Sequence, residues 1–515
     1  MFKLDMAHMG MNRLRPPHSF ISDTLPQAGD FRVISSSNST VTIHNLSPDI
    51  LSSIFLIAAH HFQDPFGSIL LPITISHVSS RWREIAISTR GLWTSIIFTF
   101  PICTSQLLRS MTWLSRSYPY PLDIFLDFRD PSWGWEEDSH KFHLEHMAPV
   151  LRLLLAHVKR WRHFELLTDT WAPIFIFLWN TRHVEAAPSL RSLSLSRCNA
   201  YFASKEAIFQ PAHLQDPIPL FGGLALDALC DVSLVGVHVD WAKSSLHNLT
   251  SLEFKYHASG VMPSLDQFLD ILSGCLELRH LSIIGWGPQF EKIGIEGNTQ
   301  EISDPQVTAT ELEQRRIIQL RHLVEFSFGF VDVNYAVKVL SLFEFPSIQN
   351  LTLEDVSFTL NPVEYENATP ILDWLTPRNE PSDATAAIPR TACGIPLNGI
   401  LSLQLYGIHS SDAAFSRFFS AFPNLQKLGL FNVADLTLQI LHPSSDPCIR
   451  HLFPSLRELE CRNVDPTTLV DVVRSRAMID SILPLESIFF DSDDPLRPLT
   501  HDDCIELSDV GVQFV

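Results

Sequence analysis

One template recurs along the chain and constrains its fold more than any other feature: L-x-x-L-x-L, with apolar residues at the first, fourth and sixth positions. Leu190, Leu193 and Leu195 fit it, with Cys198 three residues on. So do Leu229, Val232 and Leu234 with Val237; Leu249, Leu252 and Phe254; Leu278, Leu281 and Ile283; and Leu323, Phe326 and Phe328 with Val331. Ile348, Leu351 and Leu353 with Val356, Ile400, Leu403 and Leu405 with Ile408, and Leu425, Leu428 and Leu430 with Val433 continue the series. Leu456, Leu459 and Cys461 with Val464, then Leu485, Ile488 and Phe490, end it, and Trp161, Phe164 and Leu166 offer an eleventh, N-terminal copy. Positions four and six point to one face of a short strand and the residue between them to the other. One such strand buries nothing alone, but stacked copies build a continuous core.

Most neighbouring starts lie 20 to 31 residues apart, which leaves room for a helix between strands. Leu265, Phe268, Leu269 and Leu272 recur at helical spacing behind Ser264, with Gln267 completing a capping box. Ala336, Val339, Leu340 and Phe343 repeat the spacing, as do Phe415, Phe418, Phe419 and Phe422. Phe345-Pro346, Phe422-Pro423 and Phe453-Pro454 then set an extended entry into the next strand. A doubly wound sheet also alternates strands and helices, but no glycine-rich strand-to-helix turn is present and the same template recurs ten times.

Residues 158 to 493 resemble a leucine-rich-repeat solenoid, which implies an α/β fold with parallel strands inside and helices outside. Members of that family often carry Asn at the ninth position; here it is mostly Val, Ile or Cys, so the turn is expected to be held by packing. Two intervals are long, Leu278 to Leu323 and Ile348 to Ile400. Insertions are expected near 287–320 and 357–399, around Gly294–Asn298 and Pro377–Asp383.

The stretch from His44 to Ile96 has a different pattern. Ser47 suits an N-cap, Pro48 the first helical position and Asp49 the first turn. Ile50, Leu51, Ile54, Phe55 and Ala58 follow at helical spacing. Asp64-Pro65 and Gly67 are expected to break that helix, and Pro72 to start or kink a second run, Ile69 to Val78. A third run, Ser79 to Ser88, holds Arg81-Trp82-Arg83 and stops at Thr89-Arg90-Gly91, after which Leu92-Trp93 packs back. Three short helices make a marginal core, so the module is expected to dock on something. Leu46 to Leu51, Val78 to Ala86 and Leu92-Trp93, in that order, resemble an F-box of the fungal kind, with Ser47 and Ser79 where many members have Pro and Cys. The resemblance implies docking to the Skp-type adaptor of an SCF ubiquitin ligase, and through it to a cullin. Leu46, Pro48, Ile50, Leu51, Ile54 and Trp82 are the adaptor-binding candidates. The organisation expected is a flexible segment 1–43, the F-box-like module 44–97, a connecting helical and strand segment 98–157, and the repeats 158–515.

Composition narrows the partners. The formal charge is −20, which disfavours a nucleic-acid backbone or an acidic membrane surface. Eight dispersed cysteines without a CxxC pair read as reduced thiols of an intracellular protein, cytoplasmic or nuclear. The N-terminus has no apolar run of a secretory signal, the longest apolar run (172–179) is too short to span a bilayer, and the sequons at Asn38, Asn248, Asn350 and Asn367 are read as chance.

No nucleophile elbow, phosphate loop, dinucleotide fingerprint or HExxH motif occurs, so no enzyme activity and no cofactor are expected. His140, His143 and His146 read as a solvated helix face rather than a metal site, and Asp491, Asp493 and Asp494 as a charged exit from the last repeat. Outward positions change character toward the C-terminus: Tyr406, Phe431, Arg462 and Phe489 are large, and these residue types dominate binding hot spots, so they are the substrate-binding candidates. The competing expectation is that the tail, residues 496–515, caps them. The competing function is a non-catalytic repeat scaffold unrelated to ubiquitination.

Overall fold

The structure is a computed structural model that describes residues 43–61, 65–134, 139–290, 317–376, 394–443, 451–479, 482–491, 507 and 513–514. It is an α/β protein of two compact units, the first ending at Ser194 and the second beginning at Leu195.

The first unit opens with three helices, α1 (Pro48–His61), α2 (Pro65–Val78) and α3 (Ser80–Ser88). Ser47 Oγ accepts from Ile50 N at 3.4 Å, the cap the sequence marked, and Ser79 Oγ accepts from Trp82 N at 3.1 Å, so Ser79 stands before α3 as its cap rather than inside the run. Of the break expected over Asp64 to Gly67, Asp64 lies outside the described residues and Pro65 and Gly67 belong to α2. Pro65 takes the first position of α2, where a proline's missing N–H is harmless, and Pro72 sits inside α2 rather than starting it. After α3 the chain turns through Arg90–Trp93, and the buried Trp93 donates its indole N–H to Ala86 O at 2.8 Å. Strands β1 (Ser95–Thr99), β2 (Leu122–Asp127) and β3 (Trp161–Thr168) then pair in parallel, joined through helices α4 (Thr104–Arg116) and α5 (Leu144–Leu155). The segment read as a connector is thus built of the same strand–helix alternation. Helix α6 (Trp171–Thr181) follows, and β4 (Ser192–Arg197) spans the division between units.

In the second unit the template strands are β5 (Asp231–Val235), β6 (Ser251–Lys255), β7 (His280–Ile284), β9 (Glu325–Phe330), β11 (Asn350–Asp355), β12 (Ser402–Tyr406), β13 (Lys427–Phe431), β14 (Glu458–Arg462) and β15 (Ser487–Asp491). Each lies parallel to the next in chain order, and β16 (Gln513–Phe514) is added beside β15. Two short strands, β8 (Ile318–Gln319) and β10 (Phe343–Glu344), pair separately. Phe343, read as the end of a helix, is therefore in a strand; the helix there is Val333–Leu340.

From β5 to β15 the register is in phase, so one template position lines up with its counterparts on each neighbouring template strand. From β5 to β14 the fourth- and sixth-position side chains are at most 1 % exposed. They face the helices: Phe254 of β6 meets Phe268 of α7 (Leu265–Ser273), ring centroids 6.2 Å apart. Ser264 and Gln267 form the expected capping box on α7. The ninth-position residues Val237, Val331, Val356, Ile408, Val433 and Val464 are buried, in agreement with a turn held by packing.

The eighth position does the conformational work. Gly236, Tyr256, Gly285, Gly407, Asn432 and Asn463 all stand there with φ between 53° and 100°. Glycine and asparagine tolerate this left-handed region best. Their N–H groups donate to the seventh-position carbonyl of the next strand, as Gly407 N does to Phe431 O at 2.8 Å and Asn432 N to Arg462 O at 3.0 Å. Asn463 Nδ2 also bonds Asn432 Oδ1 at 2.7 Å, joining successive turns. The Asn-to-Asn link thus exists one position earlier than the ninth.

The side of the sheet away from the helices is not uniform. Over β7, β9 and β11 the chain covers itself. Ala203, from the turn Ala200–Ala203, packs with Ile284, Val331 and Val356, and Tyr256, Trp286 and Leu360 pack against that cluster. Lys205 ties this cover down through Glu366 (2.6 Å) and Asp332 (3.6 Å). Of the two expected insertions, Gly294–Asn298 and Pro377–Asp383 lie outside the described residues. The described part of the second includes short helices, Val356–Leu360 and Thr369–Leu375.

Candidate functional site

Helix α1 carries two apolar stripes. Leu51 and Phe55, one turn apart, are 0 % and 2 % exposed and form its inner face, with Phe55 against Trp82 of α3 at 4.9 Å between ring centroids. Ile50, Ile54 and Ile57 form the outer face and are 50 %, 43 % and 68 % exposed. Pro48 is exposed too, and Leu46 and Trp82 are half-buried. Leu46 O accepts from Arg81 Nη2, which pins the entry to α1 onto α3. Leu51 is a correction: it was grouped with the docking residues but belongs to the core. Ile57 was missed, although it continues the i, i+3 or i+4 progression of Ile50 and Ile54. Leu70, Val78 and Ile87 of α2 and α3 are exposed as well.

The C-terminal candidates come together through register. Glu354, Tyr406, Phe431, Arg462 and Asp491 are direct neighbours across β11 to β15. Tyr406 and Phe431 stack face to face, centroids 4.2 Å apart and planes 3° from parallel. Phe431 is nevertheless buried, at 4 % exposure, and this corrects its reading as a contact residue. The cause is Gly429, two residues before it on the same side of β13. A Cβ there would stand 2.6 Å from Phe431 Cε2, so the ring lies back over the glycine and under its neighbour's ring. Tyr406 is half-buried with its hydroxyl donating to Gln404 Oε1 at 3.3 Å. Arg462 Nε lies 3.5 Å from Asp491 Oδ2, and Phe489 is half-buried at the preceding outward position of β15. Of the expected tail cap, the described part adds β16 along the edge of β15. Asp493 and Asp494 lie outside the described residues.

The three histidines do not share a helix face. Helix α5 starts at Leu144, with His143 as its N-cap. His146 Nδ1 accepts from His143 N at 2.9 Å, so this pair caps α5. His140 precedes the helix and is 3 % exposed. Its Nδ1 accepts from Phe142 N at 3.0 Å, which leaves the proton on Nε2 to be donated to Asp169 Oδ2 at 3.0 Å. Burial raises the Asp169 carboxyl above its ordinary range while Asp130 N and His140 hold it. Both imidazole nitrogens are engaged, so His140 is a structural tie. Among the described residues no three His, Cys, Asp or Glu side chains are grouped to hold a metal ion.

Other buried polar groups belong to the fold. His238 and His257 donate from Nε2 to Gln215 O and Val237 O, each at 2.8 Å, and burial pushes both imidazoles down to about 4. Asp355 caps the helix Val356–Leu360, accepting from Ser357 N and Phe358 N, and takes Glu366 N on its other oxygen at 2.7 Å. Burial pushes its carboxyl up to about 6. Glu354 accepts from Tyr256 and Thr359 hydroxyls, and burial raises its carboxyl. Cys103, Cys198, Cys230, Cys275 and Cys461 are free thiols. No helix among the described residues is long and apolar enough to cross a membrane.

No protein-family model matches the chain, and no curated protein is significantly similar to it in sequence.

Proposed function

We propose that the chain is a substrate-receptor subunit of an SCF-type ubiquitin ligase. In this reading α1 to α3 are an F-box that holds the Skp-type adaptor, and through it a cullin, while the second unit is an irregular leucine-rich-repeat domain that holds a protein substrate. The chain itself performs no catalytic step. The observation that carries the reading is the double apolar surface of α1. A helix that only capped its own unit would need one apolar stripe, and Leu51 with Phe55 already supply it. The second stripe, Ile50, Ile54 and Ile57, is left exposed among the described residues, and contiguous exposed apolar surface marks an interaction site. It therefore favours the receptor over a bare repeat scaffold.

The test is affinity capture from the native cell, read by mass spectrometry for a Skp-type adaptor and a cullin. Both are expected with the wild-type chain. Capture of other proteins but neither of these would replace the receptor reading with that of a scaffold.

A further inference from the structure

We infer that the open side of β2 and β3, in the first unit, receives an arginine side chain of a partner polypeptide, with Glu165 holding its guanidinium and Phe125 as the ring it lies against. This goes beyond the receptor reading and does not depend on it. Position comes first. In β2 and β3 alternate residues face the core: Ile124, Leu126, Phe164 and Leu166 are each at most 1 % exposed. Phe125, Glu165 and Leu167 point the other way and are half-buried. Phe125 and Glu165 are direct register partners, as are Asp127 and Leu167. Adjacent strands lie about 4.8 Å apart, so the ring and the carboxylate border one another.

Charge comes second. Three carboxylates stand on this side, Asp123, Asp127 and Glu165. Two of them already hold an arginine in a two-pronged grip. Arg162 donates to Asp123 from Nε, at 2.8 Å, and from Nη2, and Arg129 donates to Asp127 from Nε and Nη2, at 2.8 and 2.7 Å. Glu165 makes no hydrogen bond and no ion pair among the described residues. His163, two residues before it, does not supply the missing cation. Its Nε2 lies 3.9 Å from Asp123 Oδ1, and burial holds the imidazole below its ordinary value. Burial, with Asp127 alongside, raises the Glu165 carboxyl above its ordinary range. A carboxylate so placed costs stability until a cation meets it, and a neutral side chain of the same size would not. Two features make that cation a guanidinium. Both oxygens of Glu165 are without protein donors, so they can accept a fork as Asp123 and Asp127 do. Phe125 and Leu167 flank the carboxylate, and a flat, weakly hydrated guanidinium stacks on a ring while its methylene stem lies along apolar surface.

The experiment pans a phage-displayed library of random twelve-residue peptides on the immobilised full chain. Binders are then re-screened on the Glu165→Gln variant. Clones that bind the wild type at least tenfold more tightly than the variant are expected, and they should share an arginine. In the synthetic peptides, replacing that arginine by uncharged citrulline should cost at least tenfold by fluorescence anisotropy, and replacing it by lysine at least threefold. Phe125→Leu should weaken the same peptides at least threefold. Glu185→Gln, the same change at an exposed carboxylate of the first unit, should leave them unaltered. Glu165→Gln should melt no lower than the wild type; if it fails to fold, Phe125→Leu takes its place in the re-screen, with a threefold threshold. The site is overturned if no clone separates the wild type from the variant, if the separating clones share no arginine, or if Glu185→Gln loses as much. Lysine bound as tightly as arginine would overturn the guanidinium as the group received.

Discussion

On α1, Ile50, Ile54 and Ile57 are 43–68 % exposed although the same helix has a complete inner stripe. On β13, the outward-register Phe431 is 4 % exposed although nothing in its register demands burial. A helix surplus in apolar residues has no way to hide a second stripe, because its side chains radiate from a rigid cylinder. A strand neighbour can lay a ring down along the sheet when the residue two positions back is glycine, as Gly429 is. Outwardness by pattern is thus a good guide to exposure on the helix and a poor one on the sheet. A docking claim on α1 rests on the backbone alone, whereas one on β12 to β15 has to be made ring by ring.

The largest effect that would break this contrast is on the inner stripe. Leu51→Asp places an unpaired carboxylate in a fully buried position, and such changes destabilise by more than about 4 kcal/mol. The first unit should lose its cooperative melt, followed by circular dichroism. Asp at Ile50, Ile54 and Ile57 should each stay within about 0.5 kcal/mol. A comparable loss from the outer three would mean that they, too, are core.

Acid should separate buried from exposed groups next. His238 and His257 have folded values near 4, below the unfolded 6.5, so their contribution is full above pH 6.5 and is lost as pH falls toward 4, by about 3 kcal/mol for either one. Asp355 acts in the opposite sense. Its folded value of about 6 lies above the unfolded 3.8, so the folded state gains relative stability as pH falls from 6 toward 3.8. Asp355→Asn keeps a capping side chain and removes the opposing contribution. Denaturant midpoints between pH 7 and 4.5 should therefore fall more steeply in the variant than in the wild type; a shallower fall would show that burial does not raise the Asp355 carboxyl.

Smaller changes sharpen the sheet side. Gly429→Ala should push the Phe431 ring up, loosen the Tyr406 stack and cost about 1–2 kcal/mol as overpacking does. Tyrosine fluorescence and the melting temperature should shift together, and an unshifted pair would place the ring elsewhere. Ser79→Ala removes the cap on Trp82 N and should cost about 1 kcal/mol. Its readout is the denaturant midpoint of the first unit.

The repeated strand was legible because the apolar template has period two over the strand and in-phase parallel pairing preserves it. The Ser47 cap and the α7 capping box were legible because each is a local contact of three or four residues. The turn device was not. Gly236, Gly285, Gly407, Asn432 and Asn463 share the eighth position, yet Tyr256 stands there too and other units lack the conformation, so no single residue type repeats. The signal that could have found it was a Gly-or-Asn preference one residue before the buried ninth position. Leu51 and Ile50 are adjacent in sequence, and apolar spacing gives a stripe without saying which of two stripes faces inward. Phe431 was misplaced because its burial depends on Gly429 and on a ring 25 residues away in the chain. His140 was misplaced because the start of α5 is set at His143, so three-residue steps counted through Leu144 crossed a boundary.

The central claim is that the outer stripe of α1 exists for a partner, and calorimetric titration of a purified Skp-type adaptor into the chain tests it most directly. The account predicts saturable one-to-one binding by the wild type. It also predicts no measurable heat from the variant carrying Asp at Ile50, Ile54 and Ile57, at an unchanged melting temperature. Equal binding by the two proteins, or none by the wild type, would contradict it.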